Sequence, residues 1–196
     1  RNETRHSQKA LIVIDPQIGF CCSKGSLAKV KGEDQMLNIY KVKESLLKEL
    51  SEFSRKHLVY SEYTQGQFTN GKLEEEMSDL CVPNLNKDCE VIPELKGVKV
   101  DSVSLKNEQS ALSSLDFCEL IKEEIVFCVK EFVIAGFLID HCVRATALDL
   151  KRILKDYSIK ITVDMSLCAS RVEKYDNGTV HFVINELSKV GIGCLK

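Results

Sequence analysis

The stretch Ala135-Gly136-Phe137-Leu138-Ile139-Asp140-His141-Cys142-Val143-Arg144-Ala145-Thr146-Ala147 decides how this chain is read. The apolar run Phe132-Val133-Ile134 precedes it, and Val143, Ala147, Leu150 and Leu154 recur at helical spacing within and after it. The pattern predicts a buried strand ending at a glycine, a tight turn, and a helix whose first turn carries Cys142. Unpartnered N–H groups and the positive end of a helix dipole favour a thiolate at such a position, and the thiolate is the nucleophilic form of cysteine. The alternative reading of these residues is a buried structural cysteine that packs as a small hydrophobe.

Outward from this segment the chain alternates between two periodicities. Residues 9–15 form an apolar strand that closes on an acid. Residues 34–53 place Met36, Ile39, Tyr40, Leu46, Leu47, Leu50 and Phe53 on one helical stripe. Further strands are expected at 57–61, 98–105, 131–135, 159–163 and 192–195, and further helices at 115–124, 140–155 and 179–189. Residues 64–95 are polar, with turn signals at Gly66, Asn70-Gly71, Pro83 and Pro93, and read as a long excursion with a short helix near 73–80. Strand–helix alternation predicts an α/β fold: a three-layer α/β/α, Rossmann-like parallel sheet of about six strands in the order 3-2-1-4-5-6, with helices on both faces. Ligands of such sheets sit outside the carboxyl ends of the strands. Asp15, Lys106 and Cys142 all fall at or just beyond such ends.

Composition narrows the function classes. A chain of 196 residues with a net charge of −2 reads as a single domain without general affinity for nucleic acid or an anionic membrane. Residues 1–8 read as a polar N-terminal extension without the apolar core of a signal peptide, and no apolar run reaches the roughly 18 residues of a membrane span. Nine cysteines are scattered through strands and helices with no Cys-x-x-Cys pair, which reads as reduced thiols in the cytoplasm rather than a disulfide framework. The four histidines show no zinc-ligand spacing. No metal and no cofactor are expected.

Three segments resemble the isochorismatase-like cysteine hydrolases, and nicotinamidases in particular. Ile12-Val13-Ile14-Asp15-Pro16-Gln17-Ile18-Gly19-Phe20, followed by Gly25-Ser26-Leu27-Ala28, is similar to their opening. Lys106-Asn107-Glu108-Gln109-Ser110-Ala111-Leu112 resembles their lysine segment, with Val91-Ile92-Pro93-Glu94-Leu95 leading up to it. Gly136 through Ala147 resembles their nucleophile segment. The resemblance implies a catalytic triad of Asp15, Lys106 and Cys142. It implies a non-proline cis peptide at Phe137–Leu138, and an oxyanion hole formed by the backbone N–H groups of Leu138 and Cys142. A homo-oligomer is also implied by the resemblance alone. In metal-dependent nicotinamidases an Asp-x-His arrangement follows the second strand. Here Glu62 stands at the acid's place, Thr64 at the histidine's, and no histidine occurs between His57 and His141. The metal site is dismantled on this reading, which moves the expected substrate from nicotinamide to another small amide.

The residue types supply the chemistry. Lys106 is the cation beside the sulfur, and Asp15 takes the thiol proton and returns it to the departing nitrogen. Cys142 attacks the carbonyl, and water hydrolyses the resulting thioester. Gln17, Phe20, Glu62, Phe137 and His141 are the candidate substrate contacts. Each keeps an alternative: Gln17 as a loop residue, Phe20 and Phe137 as core, Glu62 as a solvated acid, and His141 as a residue beside the site or at an interface. The competing functions are nicotinamidase, a non-catalytic member that binds a metabolite or partner, and a thiol redox protein that pairs Cys142 with a second cysteine.

Overall fold

The computed structural model describes residues 8–67 and 77–196. Most of the N-terminal extension (1–7) and most of the expected short helix (73–76) lie outside the described residues, while 77–80 make tight turns. The strands are β1 (Lys9–Ile14), β2 (Arg55–Ser61), β3 (Ser102–Lys106), β4 (Glu131–Phe137), β5 (Lys160–Ala169) and β6 (Gly193–Leu195). They form one all-parallel sheet in the order β3-β2-β1-β4-β5-β6. The longer helices are α3 (Leu37–Ser51), α4 (Leu115–Val126), α5 (Arg144–Ile153) and α7 (Thr179–Lys189). Short helices α1 (Ile18–Cys21), α2 (Ser26–Lys31) and α6 (Val172–Asp176) complete the set.

Period-two alternation sorts each central strand between two cores. Ala10, Ile12 and Ile14 of β1 and Phe132 and Ile134 of β4 pack on one face with Phe117, Ile121, Leu150 and Val183 from α4, α5 and α7. Leu11, Val13, Val133, Ala135 and Phe137 pack on the other with Ile39, Leu46 and Leu50 of α3. Because both faces are covered, β1 and β4 read in the sequence as near-continuous apolar runs. Leu47 is 47 % exposed and does not belong to the α3 stripe.

Three boundaries differ from expectation. β4 does not stop before Gly136 but runs through it to Phe137. Gly136 has φ 110°, and a Cβ there would lie 2.1 Å from the carbonyl oxygen of Ile14, so only glycine lets β4 lie this close to β1. β5 is longer than expected because a bulge takes it from Val163 opposite Ile134 to Cys168 opposite Gly136, and Ser166 folds back on Asp164 with both N–H and hydroxyl. β3 begins only at Ser102, because Asp101 closes on Lys56, accepting its N–H at 2.8 Å. No described helix is long and apolar enough to cross a membrane.

Candidate active site

The carboxyl ends of β1, β3 and β4 place the candidate reacting groups. Asp15 follows β1 directly and adopts φ 53°, a left-handed conformation that aspartate tolerates better than most residues. Its N–H donates to Val59 O at 2.8 Å, which extends the β1–β2 ladder by one bond. Lys106 is the last residue of β3, opposite Ser61 of β2, and the Glu62 N–H on its carbonyl holds it there at 2.9 Å. Cys142 lies after β4, within a π-helical turn at Ile139–Val143, and α5 begins only at Arg144. The peptide Phe137–Leu138 is cis. Thr146 of α5 accepts the Ala111 N–H at 3.0 Å and so ties the lysine segment to the cysteine segment.

These placements bring Asp15, Lys106 and Cys142 together. The Lys106 ammonium lies 3.2 Å from Asp15 Oδ2 and 3.4 Å from Cys142 Sγ, with both the lysine and aspartate side chains fully buried. Apart from this ion pair, Oδ2 accepts no hydrogen bond from a nitrogen or oxygen donor. The Cys142 thiol interacts with the same carboxyl group. Two residues not singled out from the sequence complete the cluster. Ser61 donates its hydroxyl to Asp15 Oδ1 at 2.8 Å and accepts from Lys106 at 2.7 Å. Tyr63 Oη lies 3.6 Å from Cys142 Sγ, 3.1 Å from Lys106 Nζ and 2.9 Å from Ser61 Oγ. No cysteine is among these contacts of Cys142. The one sequence signal for Ser61 and Tyr63 is their position at the end of β2.

Electrostatics correct one expectation. Burial pushes the Cys142 thiol up to about 12, and the Asp15 charge adds to this while Lys106 and Tyr63 oppose it. This direction runs against a thiolate preformed by a helix dipole. Burial likewise raises Asp15, against the pull of Lys106. Burial also works against the charge on Lys106, but Asp15 and Cys142 outweigh it and hold the ammonium above its ordinary range. Burial thus works against ionisation of both the thiol and the carboxyl group, beside an ammonium that the two hold charged.

A cavity opens onto the sulfur. Phe20, Leu27, Tyr63, Met77, Leu80 and Leu138 give it apolar walls, and Lys31, Gln109, His141 and Arg171 give it polar ones. Of the expected substrate contacts, Phe20 and His141 line this cavity and three others do not. Gln17 is fully buried, and its amide donates to the carbonyls of Ser61 and Cys89 while its oxygen accepts the Ser61 N–H at 2.7 Å. It is a clamp on β2, with its hydrogen bonds spent on backbone. Phe137 is fully buried in the α3-side core. Glu62 is half-buried and lines a second cleft, which Leu105, Lys106, Asn107 and Ser113 also border. His141 lies 3.3 Å from Asp140, whose other oxygen accepts the Ser170 hydroxyl. Burial lowers the His141 pKa, which favours the neutral ring.

The fold is a three-layer α/β/α arrangement with its buried polar cluster at strand ends. The model of the isochorismatase domain matches residues 9–183, and the chain belongs to that family. Sequence comparison with curated proteins gives no match. Among solved structures it is similar to an Acinetobacter baumanii nicotinamidase/pyrazinamidase, with TM-score 0.74 and 19% identity over 97% of this chain and 96% of that one. An isochorismatase family protein from Desulfovibrio vulgaris gives TM-score 0.71 and 22% identity over 96% and 93%. A pyrazinamidase of Pyrococcus horikoshii in complex with zinc gives 0.68 and 20% over 96% and 99%. At these identities the likeness is one of fold.

Proposed function

We propose that this protein is a cysteine hydrolase that cleaves the C–N bond of a small amide through a thioester on Cys142. The observation that carries the reading is Lys106 Nζ, fully buried between a carboxylate at 3.2 Å and a thiol sulfur at 3.4 Å, where a cavity reaches the sulfur. A surface lysine has no need of such a place, and a buried one is stable only when paired.

The steps follow from the groups present. Asp15 takes the Cys142 proton as the sulfur attacks the substrate carbonyl, and the ammonium of Lys106 and the hydroxyl of Tyr63 steady the thiolate as it forms. The carbonyl of Leu138 accepts the N–H groups of His141 and Val143 at 3.1 Å each and passes over that of Cys142 between them. The N–H groups of Cys142 and Leu138 are the donors we assign to the tetrahedral oxyanion. Asp15 then delivers the proton to the nitrogen, and ammonia or an amine leaves. Water, relieved of a proton by Asp15, attacks the thioester and frees the acid and the thiol.

The similar zinc-bound pyrazinamidase raises the question of a metal. The donors here do not fit one. Thr64 stands exposed at the histidine's place, and among the described residues no three His, Cys, Asp or Glu side chains converge. The mechanism proceeds without it. Nicotinamide is the second reading, because similar structures are named nicotinamidases. The test is ammonia release over a panel of small amides that includes nicotinamide, with Cys142→Ala as control. Release that needs Cys142 is expected. Release that persists in Cys142→Ala overturns the proposed nucleophile, and binding of panel members without release points to a non-catalytic member.

A further inference from the structure

The cavity that reaches Cys142 is also lined by a buried cation that the proposed steps do not use. Arg171 lies just beyond the carboxyl end of β5. There β5 runs beside β4, with Ala169 opposite Phe137, so Arg171 stands next to the strand end that leads to Leu138 and Cys142. Ser170, its neighbour in the chain, donates its hydroxyl to the Asp140 carboxylate and so ties this segment to the nucleophile turn. The Arg171 side chain is only 10 % exposed, yet its ion pair is with Glu173, whose side chain is 47 % exposed and which meets Nη1 at 2.7 Å. Arginine is rarely buried unless paired, and one carboxylate on one nitrogen engages a small share of its planar fork of donors. Lys31 and Arg171 both line the cavity, and among the described residues no Asp or Glu does. The reacting cluster has no cation to spare, because the Lys106 ammonium is matched by Asp15 at 3.2 Å. The other walls are mostly hydrocarbon, with Phe20, Leu27, Leu80 and Leu138 among them.

Resting on the hydrolase reading above, we infer that the amide substrate carries a carboxylate remote from its scissile bond, and that Arg171 is the residue that selects it. The guanidinium donates to the carboxylate oxygens as a planar fork. An apolar spacer lies along the hydrocarbon walls, and the amide carbonyl meets Cys142 Sγ. The substrate class is then the monoamides of small dicarboxylic acids. Water replaces the amide nitrogen, and the products are the dicarboxylate and ammonium. Arg171 does not touch the reacting atoms; it sets which amide is held against them. Discrimination follows from desolvation, since a neutral amide displaces water from the buried fork and offers no anion in return. A single fork in a mostly apolar cavity suits a planar monoanion better than a doubly charged phosphate.

The test measures ammonia release by the full chain from succinamate, glutaramate and adipamate. Each is set against a neutral amide of the same length in which a methyl ketone replaces the carboxylate. The anionic members are expected to exceed their neutral partners in kcat/KM by about 10–100-fold, the worth of a hydrogen-bonded contact to a charged group. In Arg171→Gln that preference should collapse, chiefly through KM, and Arg171→Lys should restore part of it. Circular dichroism melts check that both variants fold, and the wild-type preference is read without any variant. Calorimetry on Cys142→Ala, with succinamate against 4-oxopentanamide, needs no turnover and so separates this inference from the hydrolase reading. Arg171-dependent binding of succinamate without ammonia release by wild type supports the carboxylate site and overturns the hydrolase reading. Ammonia release from the neutral amides as fast as from the anionic ones, with the same ratio in Arg171→Gln, overturns the inference and leaves the hydrolase reading intact. Absence of any preference for the anionic members in both turnover and binding overturns it equally.

Discussion

Asp15→Asn is the substitution that separates thiol activation from proton delivery. The side chain keeps its shape, and one oxygen still accepts the Ser61 hydroxyl, now at 2.8 Å. What disappears is the anion 3.2 Å from Lys106. The nearest group able to replace it is Cys142 Sγ, at 3.4 Å. At an effective dielectric of about 20, unit charges at that separation attract by about 5 kcal/mol. The Asp15 charge, second only to burial in holding the thiol up to about 12, is removed in the same step. Burial remains and absorbs part of the gain. Alkylation of Cys142 by iodoacetamide at neutral pH is therefore expected to become faster, by about tenfold or more. Ammonia release moves the other way and falls by about 10²–10⁴-fold, since no group accepts the thiol proton and returns it to the leaving nitrogen. Site-resolved alkylation by mass spectrometry, with circular dichroism as a control on folding, reads the variant against wild type. A folded Asp15→Asn whose Cys142 reacts no faster than wild type, or one that keeps wild-type turnover, refutes the reasoning.

Lys106→Met leaves a buried carboxylate without its partner and should cost about 3–5 kcal/mol, lowering Tm by roughly 6–20 °C for a chain of this size. Burial already raises Asp15 against Lys106, so its folded-state pKa rises further in this variant. A group with a raised folded-state value stabilises fully below its unfolded value, about 4 for aspartate, and loses that contribution as pH rises through the folded value. The penalty is thus smallest in acid and grows toward neutral pH, and a thermal melt unchanged from wild type at neutral pH contradicts this. Gln17→Ala strips the Ser61 N–H and two carbonyls of their partner and should cost about 1–3 kcal/mol, with a loss in kcat rather than in KM. A change confined to KM would return Gln17 to the substrate. Gly136→Ala places a methyl 2.1 Å from the Ile14 carbonyl oxygen at φ 110° and should yield little folded protein, as a native-like melt would disprove.

The parts of this architecture that were legible from sequence are those where burial leaves a simple signature. β1 and β4 are covered on both faces, and their apolar runs follow from that. The convergence of Asp15, Lys106 and Cys142 was legible through strand ends and a family resemblance, not through local pattern. Nothing near Lys106 signals its burial, because its carboxylate partner lies ninety-one positions earlier in the chain. β3 was faint because it is an edge strand whose Val103 and Leu105 stay about half exposed. Gln17 was misassigned because sequence does not say toward which side a polar residue near a strand end points. Gln17 turns inward to the backbone of Ser61. Glu62 lines a cleft that Lys106 also borders, while its neighbours Ser61 and Tyr63 touch the sulfur cluster. The upward pull on the thiol was also beyond reach, since depth of burial is its largest cause.

The central claim is covalent, and acid quench of the protein during turnover of a responsive amide tests it directly. The intact mass should rise by the acyl group of that amide, the adduct should map to the peptide containing Cys142, and hydroxylamine should remove it. Turnover without any acyl adduct, with ammonia still released by Cys142→Ala, would contradict the account.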